Sequence, residues 1–300
     1  MPALIHNPDE AIVYLDECVE ALDESGFDPR DPDSLSHAAG LLRCLGNNRD
    51  FLAEILVDEL AAGFAGAEDT NNYGPQVIML AAPQGKDFFI RANIWPSRDE
   101  HMMRASGSDA FVYGYPHDHN FDFLTLGYFG PGYWSDYYEF DYEDVAGVRG
   151  EPVALRFVQR SALSQGKMLH YRAHRDVHAQ LPADALSVSI NIMQSSPVQA
   201  WFDQYSFDLE ESRLRAIVSN AANEAFVKIA VGLGGEEAID LADRFANRHP
   251  SDRMRLAAWE ALASVAGSSA ARESVWRNAQ RSGSRLVAAE ASQRLSALTD

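Results

Sequence analysis

Cysteine is scarce in this sequence, because the 300 residues contain only Cys18 and Cys44. Two thiols cannot make a disulfide framework or, by themselves, a zinc cluster. Both lie in stretches with the apolar spacing of a helix, so we expect them to be small buried side chains with a packing role.

Basic runs and long apolar runs are also missing. The chain has 25 basic and 44 acidic side chains, a formal net charge of -19, and no Lys/Arg-rich run that would neutralise phosphates. No apolar run approaches the roughly 18 residues needed to cross a bilayer. The N-terminal segment lacks the basic and apolar parts of a secretory signal. We therefore expect a soluble, cytoplasmic protein that binds neither nucleic acid nor membranes.

The apolar content of 46% is enough for one large core or two to three smaller ones, and its pattern changes twice along the chain. Residues 1–63 show helical spacing, and residues 209–300 return to it. Between them, in residues 64–208, aromatic and β-branched residues predict a succession of strands. The predicted strands are QVIMLAA, DFFIRANIW, DAFVYGYPH, FDFLTLGYFG, DYYEFDYE, PVALRFVQRSAL, GKMLHYRA, RDVHAQL, ALSVSINIMQ and AWFDQYSF. Short turns between strands favour an antiparallel sandwich or barrel, and thus an α+β fold.

Two C-terminal segments resemble each other. DRMRLAAWEALASVA (252–266) and SRLVAAEASQRLSAL (284–298) begin 32 residues apart, in the range of helical-pair repeats. We predict a small HEAT-like bundle here, with a plain helical cap as the alternative. Surfaces made of helical repeats often bind proteins or peptides, so a protein partner is a hypothesis for this region.

The histidines are clustered in the strand-rich region. Of nine in the chain, five lie between positions 117 and 178. His117 and His119 are separated by one residue in YPHDHN, and alternation along a strand sends both rings to one face, where they can chelate a metal. His178, followed by a short polar turn and then an alternating strand, is the best third ligand.

These segments resemble the two motifs of the cupin superfamily over roughly residues 76–195. YPHDHNFDFLTLGYFGPGYWSDYYEFD is similar to the first motif, with His117 and His119 as its histidine pair and its turn glycines at Gly127, Gly130 and Gly132. GKMLHYRAHRDVHAQ is similar to the second motif, with His178 as the ligand. The resemblance implies a double-stranded β-helix, the cupin barrel, between helical flanks.

One departure from the pattern concerns the ligand set. Most cupins carry Glu four or five residues after the histidine pair, where this chain has Phe123 and Leu124. The site is therefore similar to the three-histidine type of cysteine dioxygenase-like cupins. That resemblance implies iron(II), with manganese, nickel or zinc as alternatives, and dioxygen as a co-substrate. Glu139 is a candidate fourth ligand. His at position 119 argues against a 2-oxoglutarate site, which uses a carboxylate there.

Further candidate residues surround the predicted metal site. Tyr115 and Tyr138 are candidate catalytic residues that would orient dioxygen or donate a proton. The positive charge that a carboxylate substrate needs would come from Arg91 or Arg172, and Tyr128 would help to form the substrate site. His170 and His174 are more consistent with outer positions around the site than with ligation.

The sequence supports three functions in this order. The first is an iron(II)-dependent cupin-type dioxygenase or hydroxylase acting on a small amino-acid-like or peptidyl substrate. The second is a non-catalytic metal-binding or scaffold protein whose helical repeats bind a protein partner. The third is a metal-dependent isomerase or lyase, which the same ligands can support without dioxygen.

Overall fold

The computed structural model describes residues 1–64, 76–219 and 222–298. These residues divide by their internal contacts into two compact units. The first comprises Met1–Asp141 and Ala154–Pro197, and the second comprises Tyr142–Val153 and Val198–Asp300. The N-terminal helices thus share a unit with the sheets. The division into domains at residues 1–63, 64–208 and 209–300 stays a prediction.

The first unit has helices before and between its strands: α1 (Leu15–Ser25), α2 (Pro32–Asn47), α3 (Phe51–Phe64) and α4 (His101–Ser106). The turn between α1 and α2 stops one helix and starts the next. Asp31 caps α2 by accepting a hydrogen bond from the backbone N–H of Asp33, and Pro32 occupies the first turn, where its missing N–H costs nothing. Cys18 and Cys44 are buried free thiols in α1 and α2, as expected.

The strands of this unit are β1 (Ala3–Ile5), β2 (Val77–Ala81), β3 (Phe88–Trp95), β4 (Phe123–Phe129), β5 (Trp134–Glu139), β6 (Arg156–Ala162), β7 (Met168–Tyr171), β8 (Asp176–Leu181) and β9 (Ser187–Gln194). They form a six-stranded sheet of order β1-β7-β4-β9-β3-β2 and a three-stranded sheet of order β6-β5-β8. Every pair of neighbouring strands in these two sheets is antiparallel. The structure therefore confirms a mixed fold with antiparallel sheets.

One predicted strand is wrong. In DAFVYGYPH, Ser108–Phe111 forms a short 3-10 helix, and Val112 has a left-handed backbone conformation that no strand can continue. Pairing resumes at His117, which forms an isolated antiparallel bridge with His178. The histidine pair therefore lies on an extended segment beside β8 and not inside a regular strand.

The six-stranded sheet is covered on both faces. One face packs on α1 and α2 through buried side chains such as Leu22, Leu42, Leu124 and Ile192. The opposite face carries Trp95, Phe123, Tyr171 and Met193, which cluster with Tyr137 of the three-stranded sheet. The functional side chains described below lie in this second, aromatic core.

Two glycines of the first motif are required by close backbone contacts. Gly130 and Gly132 have φ values of 75° and 86°, which favour glycine. A Cβ atom at Gly132 would lie 1.9 Å from the carbonyl oxygen of Leu163, and one at Gly130 would lie 2.3 Å from that of Leu186. The turn after β4 therefore depends on glycine for space as well as for conformation.

The second unit contains a two-stranded antiparallel sheet of β10 (Tyr205–Asp208) and β11 (Arg213–Ile217). The prediction that residues from 209 onward are helical is wrong for this hairpin. Ser212 turns the chain with a φ of 50°, and the buried Leu214 alternates with exposed arginines, which suits a strand with one covered face.

Five helices complete the described part of this unit: α5 (Asn223–Gly232), α6 (Glu236–Arg248), α7 (Asp252–Ser264), α8 (Ser269–Gln280) and α9 (Arg285–Ser296). The resembling segments coincide with α7 and α9. Each begins at a serine cap, since Ser251 accepts from the N–H of Met254 and Ser284 from that of Val287. A HEAT-like repeat and a bound protein partner stay predictions. Within the described ranges, no helix is long and apolar enough to span a membrane.

Candidate metal centre

Three buried imidazoles meet in the first unit. One ring nitrogen from each of His117, His119 and His178 lies within 4.8 Å of the other two. The rings are 7%, 8% and 2% exposed, and their centroids lie 4.6–5.0 Å apart. The structure thus brings together the three side chains that the sequence analysis selected. A group of this kind can hold a metal ion.

Backbone pairing fixes where the three histidines stand. His117 and His178 exchange two N–H···O=C hydrogen bonds of 3.0 Å, which places their side chains next to each other across the bridge. The carbonyl of His119 accepts from the N–H of His174, 2.8 Å away, and this ties the second ligand to the turn before β8. Distant parts of the chain are therefore aligned by main-chain contacts.

The outer ring nitrogens are held by hydrogen bonds. Nδ1 of His117 lies 2.7 Å from the carbonyl oxygen of Tyr115, and Nδ1 of His119 lies 2.9 Å from that of Asp118. A carbonyl can only accept, so both Nδ1 atoms carry the proton and each Nε2 is the unprotonated nitrogen of its ring. This is the tautomer that a metal-binding histidine needs when it coordinates through Nε2.

All three histidines are neutral near pH 7. Burial lowers the pKa of His117 from 6.5 to about 4, although its bond to the Tyr115 carbonyl acts in the opposite direction. Burial also lowers the pKa values of His119 and His178 well below the usual value, and the neighbouring histidines lower them further. Neutral imidazole is the form that binds a metal ion.

Aromatic rings surround the histidines. Phe121 stacks on His119 with a centroid distance of 5.1 Å and an angle of 6°, and Phe123 stacks on Tyr171 at 4.4 Å and 8°. These rings restrict the rotation of His119 and give the site an apolar wall. A site that holds little water and whose side chains cannot rotate keeps its metal ligands in one geometry.

A pair of tyrosines extends from His178. The hydroxyl of Tyr171 lies 3.2 Å from Nδ1 of His178 and donates to the hydroxyl of Tyr137, 3.3 Å away. Both side chains are at most 1% exposed. Burial raises the pKa of each, so both hydroxyls stay protonated. The sequence analysis did not select these two residues. Alternation along DYYEFD puts Tyr137 and Tyr138 on opposite faces, but it does not say which of the two faces His178.

Gln180 is a second residue that the sequence analysis did not select. It follows His178 by two positions on β8, so both side chains point to the same face. The side-chain nitrogen of Gln180 lies 3.2 Å from Nε2 of His178, and the residue is 5% exposed. The alternation that pairs His117 with His119 is the signal that would have found it.

Arg91 lies on the face of β3 that also carries Asn93 and Trp95. Strand pairing sets it opposite Asn191 of β9, which in turn stands opposite Thr125 of β4. Its positive charge contributes, after burial and the charge of His117, to the lowered pKa of His119. Arg91 is therefore the predicted substrate-binding residue that the structure places within electrostatic reach of the histidines.

The three predicted tyrosines lie in different places. The ring of Tyr115 is 5.5 Å from that of His117, and its catalytic role stays a prediction. Tyr138 packs against the half-exposed Phe157, on the face of β5 opposite to Tyr137. Tyr128 donates its hydroxyl proton to the carbonyl of Asn48 within the helix-facing core. The structure therefore places Tyr138 and Tyr128 away from the histidines, because strand alternation turns Tyr138 toward Phe157 and Tyr128 toward the helices.

Glu139 and Arg172 form an ion pair with each other. The guanidinium of Arg172 lies 2.6 Å from Asp176 and 3.0 Å from Glu139, and Glu139 also contacts Arg156 and the N-terminal ammonium group. Glu139 is not part of the three-histidine group. The suggested roles as fourth ligand and substrate anchor are therefore corrected: these charges neutralise one another at the end of β5 and β8.

The remaining histidines of the cluster have outer positions. Nε2 of His170 lies 3.1 Å from Asp122, and His170 shares a strand pair with Leu124 of the helix-facing core. His174 forms the turn before β8 with a φ of 59°, and burial lowers its pKa to about 4. Neither residue belongs to the three-histidine group.

Comparison by sequence finds no relative: no family model matches the chain. No curated protein matches it either.

Comparison by structure gives weak similarity to several solved proteins. Salicylate 1,2-dioxygenase from Pseudaminobacter salicylatoxidans matches at 10% identity with a TM-score of 0.27, covering 49% of this chain and 34% of that one. Hydroquinone 1,2-dioxygenase from Sphingomonas matches at 11% identity with a TM-score of 0.26, covering 42% of this chain and 70% of that one. A cupin-like protein from Thermotoga maritima matches at 13% identity with a TM-score of 0.25, covering 48% of this chain and 95% of that one. Similarity at this level carries no argument about chemistry.

The site itself is the stronger observation. Antiparallel sheets enclose a group of three buried histidines, two from an HxH segment and one from a strand that pairs beside it. This arrangement is the three-histidine group that the sequence analysis predicted as a metal site.

Proposed function

We propose that this chain is a metal-dependent cupin-type oxygenase that holds iron(II) through His117, His119 and His178 and oxidises a small amino-acid-like or peptidyl substrate with dioxygen. The observation that carries the proposal is the group of three buried imidazole nitrogens within 4.8 Å of one another. Manganese, nickel and zinc are alternative metals for the same donors.

The donor set fits a divalent metal of this class. His117 and His119 each use Nδ1 to donate to a backbone carbonyl, so Nε2 of each ring is the nitrogen that would bind the ion. Among the described residues, no carboxylate belongs to the group, so the ligands leave the full positive charge of the ion in place. Iron(II) in such a set supplies the redox chemistry for oxidation by dioxygen, with open positions for an anionic substrate.

Residues of the chain itself would position the substrate. Arg91 offers a positive charge within electrostatic reach of His119, which favours a substrate with a carboxylate. Phe121 and Phe123 line the site with apolar surface that excludes water.

Two tyrosine hydroxyls can hold a proton at the site. Tyr171 and Tyr137 form a buried hydrogen-bonded pair that begins at His178. Tyr115, whose ring lies beside that of His117, is a further candidate to donate a proton or to orient the substrate.

The test is metal content followed by oxygen uptake. Protein purified without air is analysed for metals, reconstituted with iron(II) and screened in an oxygen electrode against amino acids, thiols and small peptides. His117→Ala is compared with His170→Ala, which removes another buried histidine that lies outside the group. We expect about one iron per wild-type chain, uptake stimulated by one substrate class, and loss of both in His117→Ala alone.

Other outcomes would point to the competing functions. Stoichiometric metal with turnover under nitrogen would replace the oxygenase by a metal-dependent isomerase or lyase. A chain that binds no metal, and whose folding is unchanged in His117→Ala, would support a scaffold protein.

A further inference from the structure

Gln180 stands beside the three-histidine group, and among the residues that the structure describes its amide is hydrogen-bonded at one end only. It lies on β8, two residues after His178, and is paired through the backbone with Ser135 of β5. Its side chain is 5% exposed. A long amide at this position can reach the point where the three imidazoles converge, because it shares their side of the strand.

The distances around His178 are those expected between ligands of one ion. Two donors that coordinate one metal at about 2.1 Å, at angles of about 90–110°, lie about 3.0–3.4 Å apart. Nε2 of His117 lies 3.2 Å from Nε2 of His178. The amide nitrogen of Gln180 lies at the same distance, 3.2 Å, from Nε2 of His178. The distance from His178 to the near end of the Gln180 amide is thus the same as that between two ligands of one ion.

The other end of the amide is buried without a partner. In the described part of the chain, Oε1 of Gln180 accepts no hydrogen bond. A buried acceptor that has lost its bonds to water and gained none in the protein is unfavourable. Rotation of the amide by half a turn exchanges its oxygen and nitrogen with little change in shape. The oxygen then occupies the position 3.2 Å from Nε2 of His178.

We infer that Gln180 is a fourth ligand of the metal, through its amide oxygen. The assignment rests on the proposed metal site but not on oxygenase chemistry. A neutral oxygen donor from the third-histidine strand would satisfy the buried carbonyl and leave the charge of the ion undiminished. The ligand set would be three imidazoles and one amide, in a chain that has Phe123 and Leu124 where most cupins have their glutamate.

The experiment measures metal binding without any substrate. Cobalt(II) is titrated into metal-free wild-type protein and into Gln180→Leu and Gln180→Glu, with affinity from calorimetry and coordination from the visible absorption of the ion. Ser135→Ala is the matched control, since Ser135 is fully buried opposite Gln180 on the neighbouring strand. Circular dichroism verifies that each variant folds.

We expect Gln180→Leu to bind cobalt(II) at least about tenfold more weakly, with a changed absorption spectrum, while Ser135→Ala behaves as wild type. Gln180→Glu keeps an oxygen donor and should bind as tightly as wild type or more tightly. A hydrogen-bond donor to His178 would behave differently, because a glutamate at pH 7 cannot donate.

Each remaining outcome has a distinct meaning. An unchanged affinity and spectrum in Gln180→Leu would overturn the Gln180 assignment and leave the three-histidine site intact. Weak binding by both variants would overturn it in favour of a hydrogen-bond donor. Failure of the wild-type protein to bind cobalt(II) would remove the metal site itself. If Gln180→Leu does not fold, the affinity and spectrum of Gln180→Glu decide between ligand and donor.

Discussion

The hydroxyl of Tyr171 lies 3.2 Å from Nδ1 of His178 and donates to Tyr137. A hydroxyl that donates elsewhere has lone pairs left to accept the Nδ1 proton of His178. The tyrosine therefore selects the tautomer in which Nδ1 of His178 carries the proton and Nε2, on the side of His117, carries the lone pair. Tyr171 acts at the site as a positioning residue.

The first prediction concerns this hydroxyl. Tyr171→Phe keeps the ring that stacks on Phe123 but removes the acceptor for His178. We expect metal affinity to fall about 10–100-fold, as for other partners of metal-bound histidines. Calorimetric titration with cobalt(II) measures the change. Tyr113→Phe is the control, because that buried hydroxyl donates to the carbonyl of Pro96 instead. Equal affinities in the two variants would show that Tyr171 does not orient His178.

The second prediction concerns substrate charge. Arg91→Met removes the positive charge near His119 without removing any member of the three-histidine group. We expect the variant to bind metal normally and to raise KM for carboxylate substrates about tenfold or more, with a smaller effect on neutral analogues. Oxygen uptake as a function of substrate concentration measures this difference. Equal losses for charged and neutral substrates would contradict it.

The third prediction concerns acid stability. Burial raises the pKa of Glu139, but hydrogen bonds from the N-terminal ammonium group and Arg172 outweigh burial and lower the pKa from 4.5 to about 2. A lowered carboxyl pKa adds stability above pH 4.5, and this contribution is lost as the pH falls toward 2. Glu139→Gln should therefore be less stable than wild type at neutral pH, and the difference should shrink in acid. Urea unfolding of both proteins across this pH range measures the difference in the free energy of unfolding. A difference that does not change with pH would refute the prediction.

The fourth prediction concerns the turn after β4. Gly132→Ala combines a φ of 86° with a Cβ atom 1.9 Å from the carbonyl oxygen of Leu163. We expect a loss of stability clearly larger than about 1 kcal/mol. Gly107→Ala is the matched control, since Gly107 has a φ of 80° and no atom within 4 Å of its added Cβ. Thermal unfolding of both variants separates the effect of backbone strain from that of the steric clash. Similar losses of stability in the two variants would contradict the prediction, because they would mean that the structure relieves the clash.

The fifth prediction concerns the second unit. Arg253 is 8% exposed and pairs with Asp203 and Glu224. Arg253→Met leaves the carboxylate of Asp203 buried without its cation, which should cost about 3–5 kcal/mol. Arg277→Met breaks an exposed pair with Glu273 and should cost less than about 1 kcal/mol. Urea denaturation compares the two, and equal costs would contradict a buried ion pair.

Much of the fold was predictable because strands and helices have different periods. β2 through β9 each overlap a predicted strand, since β-branched and aromatic residues between turn formers mark such segments. The hairpin of β10 and β11 was harder. RLRAI also fits the edge of a helical pattern, and only pairing with YSFD makes it a strand.

The site was predictable in part for the same reason. His117 and His119 could be placed together by alternation, which is a local property. DYYEFD has aromatic residues on both faces of the strand, so a shift of one residue exchanges Tyr138 with Tyr137. Arg172 and Glu139 each suit a role near a metal, but the sequence does not show that they neutralise each other.

The sequence by itself determined the kinds of ligand, the spacing that sets His117 beside His119, and the antiparallel character of the sheets. Only the tertiary structure decided that His178 completes the group, that Tyr171 and Gln180 flank it, and that Glu139 and Tyr128 do not. The reason is physical. Side-chain alternation depends on neighbours along the chain, whereas strand register and sheet packing depend on contacts between residues that are distant in sequence.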